Sequence, residues 1–183
     1  MSGPSGNMNK RFEVAFAKKV RAKYAVTFNS GTSDLHVALD AVGVQAGDEV
    51  IIPPLTVIYN AVVILAQNAV PIFADIDPDT FNIDLEDIKN KISPKTKALM
   101  PVSLYGLSCD LDQMMEIAEK YNLYVIYDAA EAHMAMYKGH SIAEIAHITV
   151  YSLENSKHIT IEDGGIAVTN DEELAQTMKY LEV

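Results

Sequence analysis

Apolar positions along the chain change their period several times. Phe12, Ala15, Phe16 and Val20 recur at the three-and-four spacing that lines one face of a helix. The next run, "YAVTFN", is short and rich in aromatic and β-branched residues, the composition of a strand. "GTSDLHVALDAVG" returns to the helical period, with Leu35, Ala38, Leu39 and Val42 on one face and Gly43 as its stop. The alternation continues through "EVIIP" (strand), "TVIYNAVVILAQ" (apolar helix), "VPIFADI" (strand), "DLEDIKNKI" (helix) and "KALMPVSLY" (strand). "DLDQMMEIAEKY" reads as a helix capped by Asp110, with Met114, Ile117, Ala118 and Tyr121 turned inward. "LYVIYD", "HITVYSL" and "GIAVTN" are the closing strands, followed by a helix from about Glu172. Only the small-residue opening "MSGPSGN" predicts an irregular stretch.

Apolar strands separated by amphipathic helices predict an α/β fold, a mostly parallel sheet with helices on both faces and one domain over residues 1–183. Ligands of such folds sit beyond the carboxyl ends of the strands. A formal charge of −11 speaks against nucleic acid or an anionic membrane surface as partner. A lone cysteine, Cys109, leaves no internal disulfide and suits a reducing compartment. With no signal-peptide pattern and no apolar run near the ~18 residues of a membrane span, the expectation is a soluble cytoplasmic protein. "DIDPDTFNIDLEDI" lacks the glycine and terminal glutamate of a calcium loop and predicts a turn into a capped helix. The five histidines have no ligand spacing, so no metal site is expected.

Three short segments stand where strands end. "NSGTSD" opens a helix, so the N–H groups of Gly31, Thr32 and Ser33 would face an anion, although Ser and Thr are also ordinary caps. "YVIYDAAEAH" ends an apolar strand with Asp128, either a structural cap or a carboxylate that meets a positive or protonated partner. "YSLENSKH" places Ser152 and Lys157 in the turn after another strand; such a lysine is a solvated charge or an imine-forming nucleophile. Together they supply a phosphate cradle, a carboxylate and an amine at one sheet edge. Those are the parts that pyridoxal 5'-phosphate requires for its phosphate, its pyridine nitrogen and its aldehyde.

From about Phe12 onward the sequence resembles the DegT/DnrJ/EryC1/StrS family of pyridoxal-phosphate-dependent sugar aminotransferases, of aspartate-aminotransferase-like fold. The resemblance rests on "SGTSDLHVAL", "AGDEVIIPPLT", "AVPIFADIDPDTFNID", "ISPKTKALMPVSLYG", "DAAEAHMAMYKG" and "SKHITIEDGGIAVTND" in order. It implies that Lys157 is the Schiff-base lysine and proton shuttle, and that Asp128 pairs with the pyridinium nitrogen. By the same resemblance Glu131 lies near the cofactor's phenolic oxygen, while Gly31, Thr32 and the Ser152 hydroxyl hold the phosphate. The implied reaction moves an amino group from an amino acid, typically glutamate, to a keto group of a nucleotide-linked sugar for lipopolysaccharide or polysaccharide biosynthesis. The implied assembly is a homodimer or larger.

The sequence departs from the family pattern at three places. Val57 stands where an aromatic ring usually stacks on the cofactor, and Glu162 replaces a glycine of the "GEGG" run. The chain is also short for the family, which leads to the expectation of a cofactor-binding large domain without the small C-terminal domain. Two other readings follow: a truncated fragment acting in binding or assembly, and a sugar dehydratase of the same family. Dehydratases carry histidine in place of the lysine, whereas here position 157 is Lys and the histidine is His158.

Overall fold

The computed structural model describes residues 6–181, with side chains from residue 8 onward. In chain order the elements are α1 (Gly6–Val20), β1 (Tyr24–Phe28), α2 (Gly31–Ala41), β2 (Glu49–Ile52), α3 (Tyr59–Ala66) and β3 (Val70–Phe73). There follow α4 (Leu85–Lys91), β4 (Thr96–Leu99), α5 (Leu111–Tyr121), β5 (Tyr124–Asp128), β6 (Met136–Tyr137) and β7 (His140–Ser141). The last three are β8 (Ile148–Ser152), β9 (Gly165–Thr169) and α6 (Glu172–Tyr180). Seven strands form one sheet in the order β1-β9-β8-β5-β4-β2-β3, and β6 pairs with β7 in a separate hairpin. Pairing is parallel from β8 through β5, β4 and β2 to β3. It is antiparallel between β8 and β9 and between β9 and β1.

Two apolar layers cover the two faces of the sheet. One gathers Phe16, Val20, Ile88, Met114, Ile117 and Tyr127, the other Leu35, Leu39, Val50, Ile64, Ile126 and Val150. Strands β8 and β9 are buried at every position, so alternation is lost there and each strand reads as a continuous apolar run. Helix ends carry the expected caps: Asp110 accepts from the Gln113 N–H and Asp84 from the Glu86 N–H. Asp77 accepts N–H bonds from Asp79 and Thr80, which makes the acidic segment before α4 a turn, as its composition predicts.

Several expectations need correction. Helix α1 already includes Gly6 and Asn7, while residues 1–5 of the irregular opening lie outside the described residues. Ala15 is exposed, on the flank of α1 rather than on its buried face. Tyr121, the last residue of α5, is 39% exposed beside Lys120, because Asn122 turns left-handed (φ 55°) and ends the helix at the rim. Helix α3 starts at Tyr59, three residues later than "TVIY" suggests, because Pro53 and Pro54 disfavour helix and the chain bends at residues 54–56 before turning into the helix at Ile58. Strand β3 lies at the sheet edge with Val70 and Phe73 exposed, so burial on both faces fails there. The run "KALMPVSLY" is strand only to Leu99, and Leu104–Gly106 is a 3₁₀ turn.

Candidate active site

Because β1, β8 and β5 run in the same direction, their carboxyl ends share one edge of the sheet with the start of β9. That edge brings together Ser30–Thr32, Asp128, Ser152 and Gly165. Ser30 caps α2 in extended conformation and accepts the Ser33 N–H at 3.2 Å. The expected set of three anion-facing donors is therefore two: the Ser33 N–H is taken by the cap, and the N–H groups of Gly31 and Thr32 have no partner among the described residues.

Close approach explains two glycines. A Cβ on Gly31 would lie 2.9 Å from the Ser152 Cβ, which would push α2 off the end of β8. A Cβ on Gly165 would lie 1.7 Å from Asp34 Oδ2 and 2.6 Å from the Gly31 backbone nitrogen. Helix α2 thus rests its first turn directly on the backbone of β9. The Ser152 hydroxyl, accepting weakly from the Glu154 N–H at 3.4 Å, completes the rim of this cradle.

Asp128 ends β5, buried. Its Oδ2 accepts from Asn60 Nδ2 at 2.8 Å and its Oδ1 from the Ala130 N–H at 3.0 Å. Burial raises its pKa above the ordinary carboxylate value, against the opposing pull of Asn60, the Ala130 N–H and Lys157. Lys157 lies in the connection between β8 and β9, which is pinned where Leu153 and Gly164, and Leu153 and Ile161, exchange backbone hydrogen bonds. Its Nζ is 3.7 Å from Glu131 Oε1, with the lysine side chain 18% exposed. Glu131 Oε2 accepts the Tyr105 N–H at 3.2 Å, so one carboxylate meets both the amine and the left-handed residue Tyr105 (φ 56°).

Gly31, Thr32, Val57, Asp128, Ser152 and Lys157 line one cavity of about 510 Å³. Glu131 stands outside that lining and reaches it through Lys157. Glu162 has φ 79°, so the glycine it replaces belonged to a left-handed position, and the side chain costs about 1 kcal/mol there.

Two residues of the site escape sequence reasoning. Asn60 is a lone polar residue in the otherwise apolar α3, and that break in the pattern is the signal that could have marked it. Asp34 is fully buried, and burial followed by the like charge of Asp128 raises its pKa well above the ordinary value. Its position in the first turn of a helix made it look like an ordinary acidic cap neighbour. Among the described residues no group of three or more His, Cys, Asp or Glu side chains could hold a metal ion.

The donor set fits pyridoxal phosphate. Two free N–H groups at a helix N-terminus and a hydroxyl suit a phosphate, in a cradle that any Cβ at position 31 would invade. A buried carboxylate and an amine open on the same cavity. Fold and pocket together define a pyridoxal-phosphate-dependent transferase architecture. The profile of the DegT/DnrJ/EryC1/StrS aminotransferase family matches residues 2–183, and the chain belongs to that family. It is 44% identical over 176 residues to GDP-perosamine synthase of Caulobacter vibrioides, which covers 96% of this chain and 47% of that protein. Among solved structures, an aminotransferase from Psychrobacter cryohalolentis superposes with a TM-score of 0.93 at 42% identity, over 95% of this chain and 44% of that one. NtdA of Bacillus subtilis, solved with bound cofactor PMP, superposes with a TM-score of 0.89 at 34% identity, over 97% and 40%. The chain spans about half the length of the relatives it matches. Pyridoxal phosphate is the cofactor of this family.

Proposed function

We propose that these residues are the cofactor-binding large domain of an enzyme that moves an amino group from glutamate to a keto group of a nucleotide-linked sugar, in polysaccharide biosynthesis in the cytoplasm. The observation that carries this reading is the opening of Lys157, Asp128 and the α2 N-terminus onto one cavity. GDP-perosamine synthase, the relative at 44% identity, bears the name of a GDP-linked product. The cofactor, when bound, supplies an electron sink for the carbon that gains or loses the amino group.

The chain's own residues divide the remaining work. The Gly31 and Thr32 N–H groups and the Ser152 hydroxyl bind the phosphate, aided by the positive end of α2. Asp128, fixed by Asn60 and the Ala130 N–H, would meet the ring nitrogen with its carboxylate and keep a proton there. Val57 covers one face of the cavity with a branched aliphatic in place of a ring. The Lys157 amine would hold the cofactor and, when free, would carry a proton between the reacting carbons; Glu131, 3.7 Å away, would keep the amine in place. Lysine at 157 favours amino transfer over the dehydratase chemistry of the same family.

The apolar face of α3 and the turn before it supports a homodimeric assembly. Leu55, Ile58, Tyr59, Val62 and Leu65 are 39 to 67% exposed, and Val57 and Tyr59 also line the cavity. A second copy seated there would shield the patch and close the site. Borohydride reduction of the cofactor-loaded protein, followed by peptide mapping, tests the central assignment. The adduct is expected on the peptide that contains Lys157, and an adduct elsewhere, or none in folded protein saturated with cofactor, refutes it.

A further inference from the structure

Asp34 stands one turn into α2, behind the N–H groups that face the cavity. It is fully buried, and neither carboxyl oxygen has a hydrogen-bond partner among the described residues. The backbone of Gly165 closes against Oδ2 so tightly that no side chain fits between them. An ionised carboxylate in such a place is strongly disfavoured, because neither water nor a cation reaches it. We propose that Asp34 is a hidden member of the anion site, a neutral acid whose ionisation would place a competing negative charge at the helix terminus that holds the phosphate. The proposal rests on the reading of α2 as the phosphate cradle.

The field of a helix N-terminus favours one negative charge close to its first turn. An ionised Asp34 would satisfy that field from inside and repel a ligand anion across a low-dielectric gap. Burial and the like charge of Asp128 both oppose that ionisation and hold the group in its neutral form. No other ionisable neighbour offsets them. Strand β9 carries no ionisable side chain, β8 only Tyr151, β1 only Tyr24, α3 only Tyr59, and β5 Tyr124 and Tyr127 besides Asp128. Glu172, Glu173, Lys179 and Tyr180 of α6 and His36 and Asp40 of α2 itself are not among the groups that shift it, and the pocket cation Lys157 bears on Asp128 instead.

The sign follows from a folded-state pKa raised above the unfolded one. Stability from this group is full below the ordinary carboxylate range and is lost as pH rises toward and through the raised value. Anion affinity falls as the folded protein passes that same value. Sulfate is a suitable probe, because its charge is constant from pH 6 to pH 10. Titration calorimetry with sulfate on the wild type, Asp34→Asn and Asp34→Ser across that range gives the test. The wild type is expected to lose affinity about tenfold or more with rising pH, while both variants hold the wild-type low-pH affinity throughout. Thermal unfolding should show stability falling with pH from the ordinary carboxylate range up to the raised value in the wild type alone. Parallel pH profiles in wild type and variants overturn the role of Asp34 and leave the cradle standing. A wild type that takes no sulfate at any pH overturns the cradle itself and this proposal with it.

Discussion

Asp128 is held by two donors on two different elements, the Asn60 amide of α3 and the Ala130 N–H beyond β5. Each donor takes a different carboxyl oxygen, so an amide in its place keeps one of the two bonds. Asp128→Asn keeps the volume and one acceptor oxygen but removes the charge proposed to face the ring nitrogen. Cofactor should still load, by absorbance, while the rate of the half-reaction with glutamate falls on the order of a hundredfold in a full-length background. An unchanged rate would make the carboxylate structural. Asp128 could be named in the sequence because a carboxylate ending an apolar run is conspicuous. Asn60 and Asp34 were harder to read, one because a single polar break in an apolar helix does not name its partner, the other by its place among ordinary capping residues.

At the level of elements, the contact between α2 and β9 is the tightest constraint on the site. Gly165→Ala drives a Cβ into the Asp34 carboxylate and to within 2.6 Å of the backbone of residues 30 and 31, which cannot swing aside even if the carboxylate does. Loss of about 2–3 kcal/mol is expected, or roughly 5–10 °C in Tm for a chain of this size, together with weakened cofactor binding. Urea unfolding with and without cofactor separates the two effects. Periodicity made α2, α5, β5, β8 and β9 legible, since each has a long or dense apolar signal and a capped or abrupt end. It misplaced the start of α3 and the end of β4, where prolines at 53, 54 and 101 break the backbone pattern while the apolar run continues. The β6–β7 hairpin, two residues per strand, is too short to leave any period at all.

For the whole molecule, the exposed apolar side chains of α3 lie on one helical face, at 58, 62 and 65. Ile58→Glu combined with Leu65→Glu should convert a dimer to a monomer in sedimentation at micromolar concentration and leave the fold's stability within about 0.5 kcal/mol per site. A wild type that sediments as a monomer would show that this face serves some other purpose. The sheet order has a consequence for the protein's history on the ribosome. Strand β1, which leads into the phosphate cradle, is the edge of the sheet and has only β9 as a neighbour. Residues 24–28 are thus synthesised early and wait for residues 165–169, an interval on the order of ten seconds at ordinary translation rates. The parallel strands in between can pair meanwhile, so the seating of α2 on β9, which shapes the proposed phosphate cradle, is the last contact of this edge to form, after β9 has left the exit tunnel.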